Sequence, residues 1–317
     1  DIDDKWSVIV GGRYSAEEKS VDDDYQIRRD QPYLSPVNGP YLPGIPILSN
    51  PGYPRYDEES WDSFTPKLGV TYQANDDVFL FATYSTGFKS GGFSPGVLQP
   101  AFDPELVTSF EIGERATLFD DRLTLNATAF YFNYDDMQVS RVTGTVVVIE
   151  NASSAKVSGL EIESAFRPTD NSKIDFSGAW LNTEFGDFFP GPGNDNMKGN
   201  RLPSAPEWQG LVGAEIVQSL SPSIDVTLRG EVEYKSGMYF TPQNTDRLYE
   251  EGHTKLNAFL TFDLADPDLR VSLYGRNLTD ELSWSIFRSG SVAYGAPVNG
   301  VIEAPRTFGI SITKQFG

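Results

Sequence analysis

The 317 residues carry 45 Asp plus Glu against 25 Lys plus Arg, a formal charge of −20, so the cationic footprint that a nucleic acid needs is missing. With no Cys and a single His, His253, disulfide frameworks, thiol chemistry and His-based metal or nucleophile sites fall away. No apolar run reaches the ~18 residues of a transmembrane helix, which leaves transmembrane strands open because their alternation keeps mean hydropathy low.

In chain order, a first strand is expected over Lys5–Ala16, directly after the acidic Asp1-Ile2-Asp3-Asp4, which is no signal peptide. A long connection, Glu17–Trp61, follows. Phe64, Leu68, Val70 and Tyr72 then oppose Thr65, Lys67, Thr71 and Gln73, the period-2 alternation of a strand with one apolar and one wet face. Val78–Phe88 is less clean, since Phe79 and Phe81 make both faces apolar. Ile224–Lys235 is the clearest: Ile224, Val226, Leu228, Gly230, Val232 and Tyr234 against Asp225, Thr227, Arg229, Glu231, Glu233 and Lys235. Leu256–Leu264 and Leu269–Leu273 repeat the pattern. A last strand, Pro305–Phe316, carries Phe308, Ile310 and Ile312 on one parity.

Turn-forming Asp, Asn, Ser and Pro punctuate these strands at 74–77, 119–121, 168–171, 220–223 and 265–268. Between them lie longer connections at Glu17–Trp61, Lys89–Pro104, Gly186–Pro203, Phe240–His253 and Ser283–Ala304. Tight turns at one end and long loops at the other describe an all-β, antiparallel transmembrane barrel of the outer-membrane type, here with about 12 strands. Soluble β-sandwiches and propellers also alternate, but many of these strands exceed the ~5–6 residues of an ordinary strand. Trp6 and Tyr14, Phe64 and Tyr72, and Phe308 and Phe316 each stand eight positions apart on one parity. That spacing covers about 20 Å of membrane normal, close to the separation of two interfacial aromatic girdles.

Tyr274-Gly275-Arg276-Asn277-Leu278-Thr279-Asp280-Glu281 resembles the Asn-Leu-x-Asp signature of TonB-dependent receptors. Thr65-Pro66-Lys67-Leu68-Gly69, the segment Tyr84–Phe93, Glu111-Ile112-Gly113, Phe130–Gln138, Gly159-Leu160-Glu161 and Pro305–Gly309 resemble further segments of that family, in the same order. The resemblance implies that 1–317 is the carboxy-terminal part of a 22-stranded barrel, with a lumenal plug that this chain does not contain. It also implies active uptake of a scarce nutrient such as a ferric siderophore, energised by the TonB system through that plug. Outer-membrane lipid and lipopolysaccharide would surround it, with no nucleic-acid partner. On this reading about ten strands and the plug lie on a longer polypeptide or a second chain. A passive porin and a soluble β-rich binding module are the competing classes.

No enzyme constellation survives. Glu111, Glu114, Glu161 and Glu163 fall on strands; Glu111 and Glu163 are expected to line a hydrated lumen and to pair with residues such as Arg115 or with groups of the plug. Gly and Asn in the motifs are expected to serve turns and strand packing rather than a ligand. No metal site or cofactor is expected. Ligand capture is placed on loops and mouth: Tyr41, Tyr53 and Tyr56 as amphipathic aromatics, Lys89 and Arg288 as contacts for an anionic ferric complex.

Overall fold

The computed structural model describes residues 2–23, 55–95, 99–143, 146–189, 195–266, 268–289 and 297–314. Nine strands come first: β1 (Trp6–Asp23), β2 (Arg55–Asn75), β3 (Val78–Lys89), β4 (Glu105–Leu118), β5 (Leu123–Thr143), β6 (Val146–Thr169), β7 (Ser172–Phe185), β8 (Trp208–Ser221) and β9 (Ile224–Lys235). Then come the short β10 (Met238–Tyr239), a 3-10 turn at Asp246–Leu248, and β11 (Tyr249–Glu250). β12 (His253–Leu264), β13 (Leu269–Arg276), β14 (Trp284–Ser289), β15 (Val298–Ile302) and β16 (Thr307–Lys314) complete the order. Twelve of these form one antiparallel meander, β1 to β9 followed by β12, β13 and β16. The twelve long strands expected from the alternation are the twelve of the sheet. β10–β11 and β14–β15 are separate two-stranded pairs inside loops, too short for a periodic signal.

One boundary differs from expectation. The β1–β2 ladder runs unbroken from Trp6↔Tyr72 to Asp23↔Arg55, so much of Glu17–Trp61 is strand and the connection is confined to 24–54. Above the girdle both faces meet water, alternation vanishes, and Glu17-Glu18-Lys19-Ser20 reads as loop although its backbone still pairs.

Register turns alternation into a surface. Directly opposed residues share a face, and Val8, Val70, Ala82, Ile112, Ala129, Leu160, Trp180 and Trp208 form one unbroken row across β1–β8. Ile216, Leu228, Leu260, Leu273 and Ile310 form another across β8, β9, β12, β13 and β16. These side chains are exposed: Leu228 by 55%, Ile310 by 59%, Ile112 by 63%. An apolar face left open over twelve strands is stable only in a nonaqueous medium. Its aromatic borders fall where the sequence places them. Tyr14 opposes Phe64 toward the loops, Trp6 opposes Tyr72 toward the turns with ring centroids 4.4 Å apart, and Phe308 is 73% exposed. Phe316 lies outside the described residues.

The opposite face is polar and is held by side-chain chemistry. Arg229 on β9 donates from Nη1 and Nη2 to both carboxylate oxygens of Asp175 on β7, at 2.7 and 2.9 Å, and from Nε to Glu231 at 2.8 Å. The motif glycines are packing sites. A Cβ on Gly159 would stand 2.5 Å from both the Phe130 ring and the Trp180 carbonyl, and one on Gly113 would stand 2.6 Å from the Phe81 ring and the Ala127 carbonyl. In each case an aromatic from the adjacent strand lies over the glycine, replacing the packing its missing side chain would supply.

Among the described residues, a conventional core is found beyond the loop-side girdle. β5 and β6, of 21 and 24 residues, rise past their neighbours. Ala152 and Ala155 from that hairpin pack with Phe185, Phe188, Met197 and Leu202 from the end of β7 and the loop after it.

Candidate functional site: the inner wall and its loop-side mouth

The five tight turns expected from the sequence sit at one end of the sheet, and the long connections sit at the other, together with the short link between β5 and β6. The mouth is therefore built from loops, and successive loops are tied together by hydrogen bonds. Ser90 donates to Glu17 Oε2 at 2.6 Å and is held by Lys19, which also donates to the Gly91 carbonyl at 2.9 Å and lies 5.8 Å from the Trp61 ring centroid. Gln138 Nε2 donates to the carbonyls of Ser90 and Asp103, and Asn151 Nδ2 to those of Asp103 and Asp136. These bonds fasten the loop after β3 to the tall hairpin. Asn200 and Asn244 join the loop after β7 to the loop after β9, through Asn200 Nδ2 to the Pro242 carbonyl at 2.8 Å and the Arg201 amide to Asn244 Oδ1 at 2.7 Å. Arg201 Nη1 also lies 2.8 Å from Glu207, and that hydrogen bond holds the Glu207 carboxyl below its usual range.

The loop after β13 is the most firmly clamped. Lys255 on β12 pairs with Glu303 and donates to Ser283 Oγ at 2.7 Å; Ser283 donates to Glu303 Oε2 at 2.8 Å; Lys235 Nζ lies 3.7 Å from Glu303 Oε1. Burial pushes the Glu303 carboxyl up, but the hydrogen bonds from Lys255 and Ser283 and the two lysine charges outweigh it and hold it low. The Trp284 amide donates to Glu250 at 2.6 Å, and Phe287 stacks on Trp284 while meeting Phe240 edge-on. At the base of this loop Asn277, in left-handed conformation with φ 50°, acts as a knot. Its Nδ2 donates to the Glu281 and Ala304 carbonyls, its Oδ1 accepts from the Glu281 amide, and its own amide donates to Asn257 Oδ1. The Asn-Leu-x-Asp element is thus structural, as its Asn and Asp content implies. Asp280, also left-handed, accepts from the Arg306 amide and guanidinium.

Below the mouth the inner wall is concave, and a hollow of about 580 Å³ includes Arg115, Asn126, Glu161, Glu163, Glu233 and Lys235 in its lining. Glu163 is placed on it as expected, in one row with Asn126 and Arg115. Glu111 accepts instead from Ser109 on its own strand at 3.1 Å. No group of His, Asp and Glu among the described residues could hold a metal. His253, passed over in the sequence for want of a partner, is 92% buried in the row of Lys235 and Gln209, and its Nδ1 has no hydrogen-bond partner.

Of the five candidate contacts, Tyr56, Lys89 and Arg288 fall within the described residues. Tyr41 and Tyr53 lie outside the described residues. Tyr56 stands on the outer face of β2, 65% exposed, its hydroxyl donating to Glu58 at 2.8 Å. Lys89 ends β3 on the inner face, exposed and opposite Glu105 without forming an ion pair with it. The backbone of Arg288 pairs with Asn299 in β14–β15. Ser90, Glu17, Gln138 and Asn151, which tie the rim, were missed because each acts across loops and no local spacing announces it.

An antiparallel wall with a membrane-facing apolar exterior, a wet interior and a loop-built mouth is the wall of an outer-membrane β-barrel. Residues 1–278 match the family model for the TonB dependent receptor-like β-barrel, and the chain belongs to that family, whose place is the outer membrane. The pesticin receptor of Yersinia pestis is 24% identical over 282 residues, 85% of this chain and 38% of that receptor. Among solved structures, the ferric yersiniabactin uptake receptor FyuA of Yersinia pestis superposes with a TM-score of 0.76 at 20% identity, over 98% of this chain and 43% of that one. The siderophore receptor PiuA of Acinetobacter baumannii gives 0.70 at 18% identity, over 98% and 41%. At these identities the two structures establish the fold. The chain spans less than half the length of these relatives.

Proposed function

We propose that this chain forms part of the wall and mouth of a receptor that takes up an anionic metal chelate, with a ferric siderophore as the ligand. The observation that carries the reading is family membership joined to a wide polar inner wall under a cross-linked loop rim. The relatives named for pesticin, ferric yersiniabactin and siderophores support the ligand class. Residues 1–317 act as one barrel segment. Uptake draws energy from TonB through a plug in the lumen, and lipid with lipopolysaccharide contacts the outer face. Lys89 at the inner rim and Arg288 on β14 meet the negative charge of the chelate. Tyr41 and Tyr53 supply aromatic contact from the first loop, whereas Tyr56, on the outer face of β2, does not take part.

The apolar exterior disfavours a soluble binding module. A passive porin is separated by energy dependence. In iron-starved cells carrying the full-length protein, uptake of a radioiron-labelled ferric catecholate should fall to background when TonB is deleted. Uptake that persists without TonB would overturn active transport. Lys89→Gln should weaken chelate binding several-fold.

A further inference from the structure

The lipid face is not the same along the sheet. On β8, β9, β12, β13 and β16 the row from Ile216 to Ile310 is built of large aliphatics throughout. On β1–β5 the row Val8, Val70, Ala82, Ile112, Ala129 sets two alanines between larger neighbours. The next row toward the loops is Leu68, Tyr84, Phe110 and Tyr131, in which the rings of Tyr84 and Phe110 stand with centroids 5.1 Å apart. Between the alanine floor and this aromatic wall lies an outward-facing groove of about 680 Å³, lined chiefly by apolar atoms. One row higher, Thr86, Thr108 and Asn133 oppose one another on the same face. The groove therefore ends where the apolar band meets polar residues on the loop side, within the leaflet nearer the loops.

A groove in lipid is not filled for the reason that a groove in water is. Lipid tails are as apolar as the side chains around them, so burial selects nothing, and packing contacts and hydrogen bonds decide which molecule stays. The groove offers both. Its floor at Ala82 and Ala129 lies between Val70, Ile112 and the aromatic wall, so a single extended tail meets protein on more than one side. Tyr84 and Tyr131 on that wall bring hydroxyls to the loop-side border, the depth at which amphipathic rings meet lipid headgroups. We propose that the groove holds one acyl chain of lipopolysaccharide, the lipid of the leaflet that the loops face, as a resident rather than a passing lipid. Acyl chains of that lipid carry ester, amide and hydroxyl groups beside the sugar head, the chemistry a tyrosine hydroxyl recognises. The proposal deepens the reading that lipopolysaccharide contacts the outer face and does not depend on which ligand is taken up. All of the lining lies on β1–β5.

The full-length receptor is expressed in a deep-rough strain, whose truncated lipopolysaccharide has a defined mass, extracted from outer membranes in mild detergent and weighed by native mass spectrometry. The expected spectrum shows receptor carrying one lipopolysaccharide. Ala82→Leu/Ala129→Leu, which fills the floor with side chains that lipid tolerates, should insert normally and retain that lipid several-fold less. Ala214→Leu, the same change at an exposed position on the lipid face of β8, should retain it fully. Tyr84→Phe/Tyr131→Phe keeps the shape of the groove and should also lower retention several-fold, and it carries the test if the alanine pair fails to insert. Retention left unchanged by either pair, or lowered equally by Ala214→Leu, would leave lipopolysaccharide as general surroundings and overturn the groove. Receptor that comes off without lipid would overturn the groove as well. A phospholipid in its place would overturn both the groove and the lipopolysaccharide contact.

Discussion

The outer and inner faces of the same strands are built by different rules, and Leu228 and Arg229, adjacent on β9, show the difference. Leu228 belongs to a row of like residues, Ile216 to Ile310, any of which another aliphatic would replace; lipid asks only for apolarity there. Arg229 is particular: its two terminal nitrogens fit Asp175 and its Nε fits Glu231. One face is specified by class of residue, the other by partner.

The sharpest way to break that contrast is to exchange the rules. Leu228→Arg should cost roughly 2–4 kcal/mol of folding free energy if it sits near the midplane, whereas Arg229→Leu, on a wall reached by water, should cost about 1 kcal/mol. Folding titrations into lipid vesicles measure both. A larger loss for Arg229→Leu than for Leu228→Arg would reverse the assignment of faces.

Next in size is Gly159→Val. Its Cβ meets a carbonyl that cannot move aside as well as the Phe130 ring, so a loss of about 1–3 kcal/mol is expected. Leu160→Val, one residue along on the lipid side, should be nearly silent in the same titration. Equal effects would mean that ring-over-glycine packing contributes nothing.

Asn277→Ala should cost about 1–2 kcal/mol through lost hydrogen bonds and a lost left-handed residue. The damage should be local, read as faster hydrogen exchange at Glu281 and across the loop after β13, with β12 and β13 still protected. Global loss of protection would make Asn277 part of the wall rather than of the mouth.

The smallest effect concerns acid. The Glu303 carboxyl is held below its ordinary value of 4.5, so its clamp contributes fully above that value and is lost as pH falls through the lowered one. Exchange of the Glu303 amide, which donates to the Ser283 carbonyl at 2.9 Å, should therefore accelerate below about pH 4.5. Glu303→Gln should remove the acid dependence. An acid response unchanged in that variant would place the titrating group elsewhere.

What the sequence made legible divides along the same line. Alternation, turn residues and girdle spacing locate the strands and the lipid face because lipid imposes one rule at every position. Tyr14, Phe64, Leu228 and Ile310 stand where their parity puts them. The mouth follows no such rule. Ser90, Gln138, Asn151 and Asn244 acquire their meaning from loops distant in sequence, and the run after Ala16 reads as loop since both its faces meet water. Asn277 was legible as structural from its Asn-Leu-x-Asp setting, but its four bonds were not. Lys89 was picked out as a cation near a strand end, and its place on the inner face depended on register. Tyr56 was chosen for its chemistry alone, and parity puts it on the outside.

The tall β5–β6 hairpin gives the molecule a second building code. On the lipid face side-chain volume matters little, because lipid fills what a residue leaves empty. Around Phe185, Phe188 and Met197 it matters as in any soluble core. Exchanging mouths between receptors is therefore a problem of modular units: Met137, Ala152 and Ala155 share one interior with Phe185, Phe188, Met197 and Leu202 and must travel with them, while the lipid faces of the strands beneath are generic footing that a graft can leave in place.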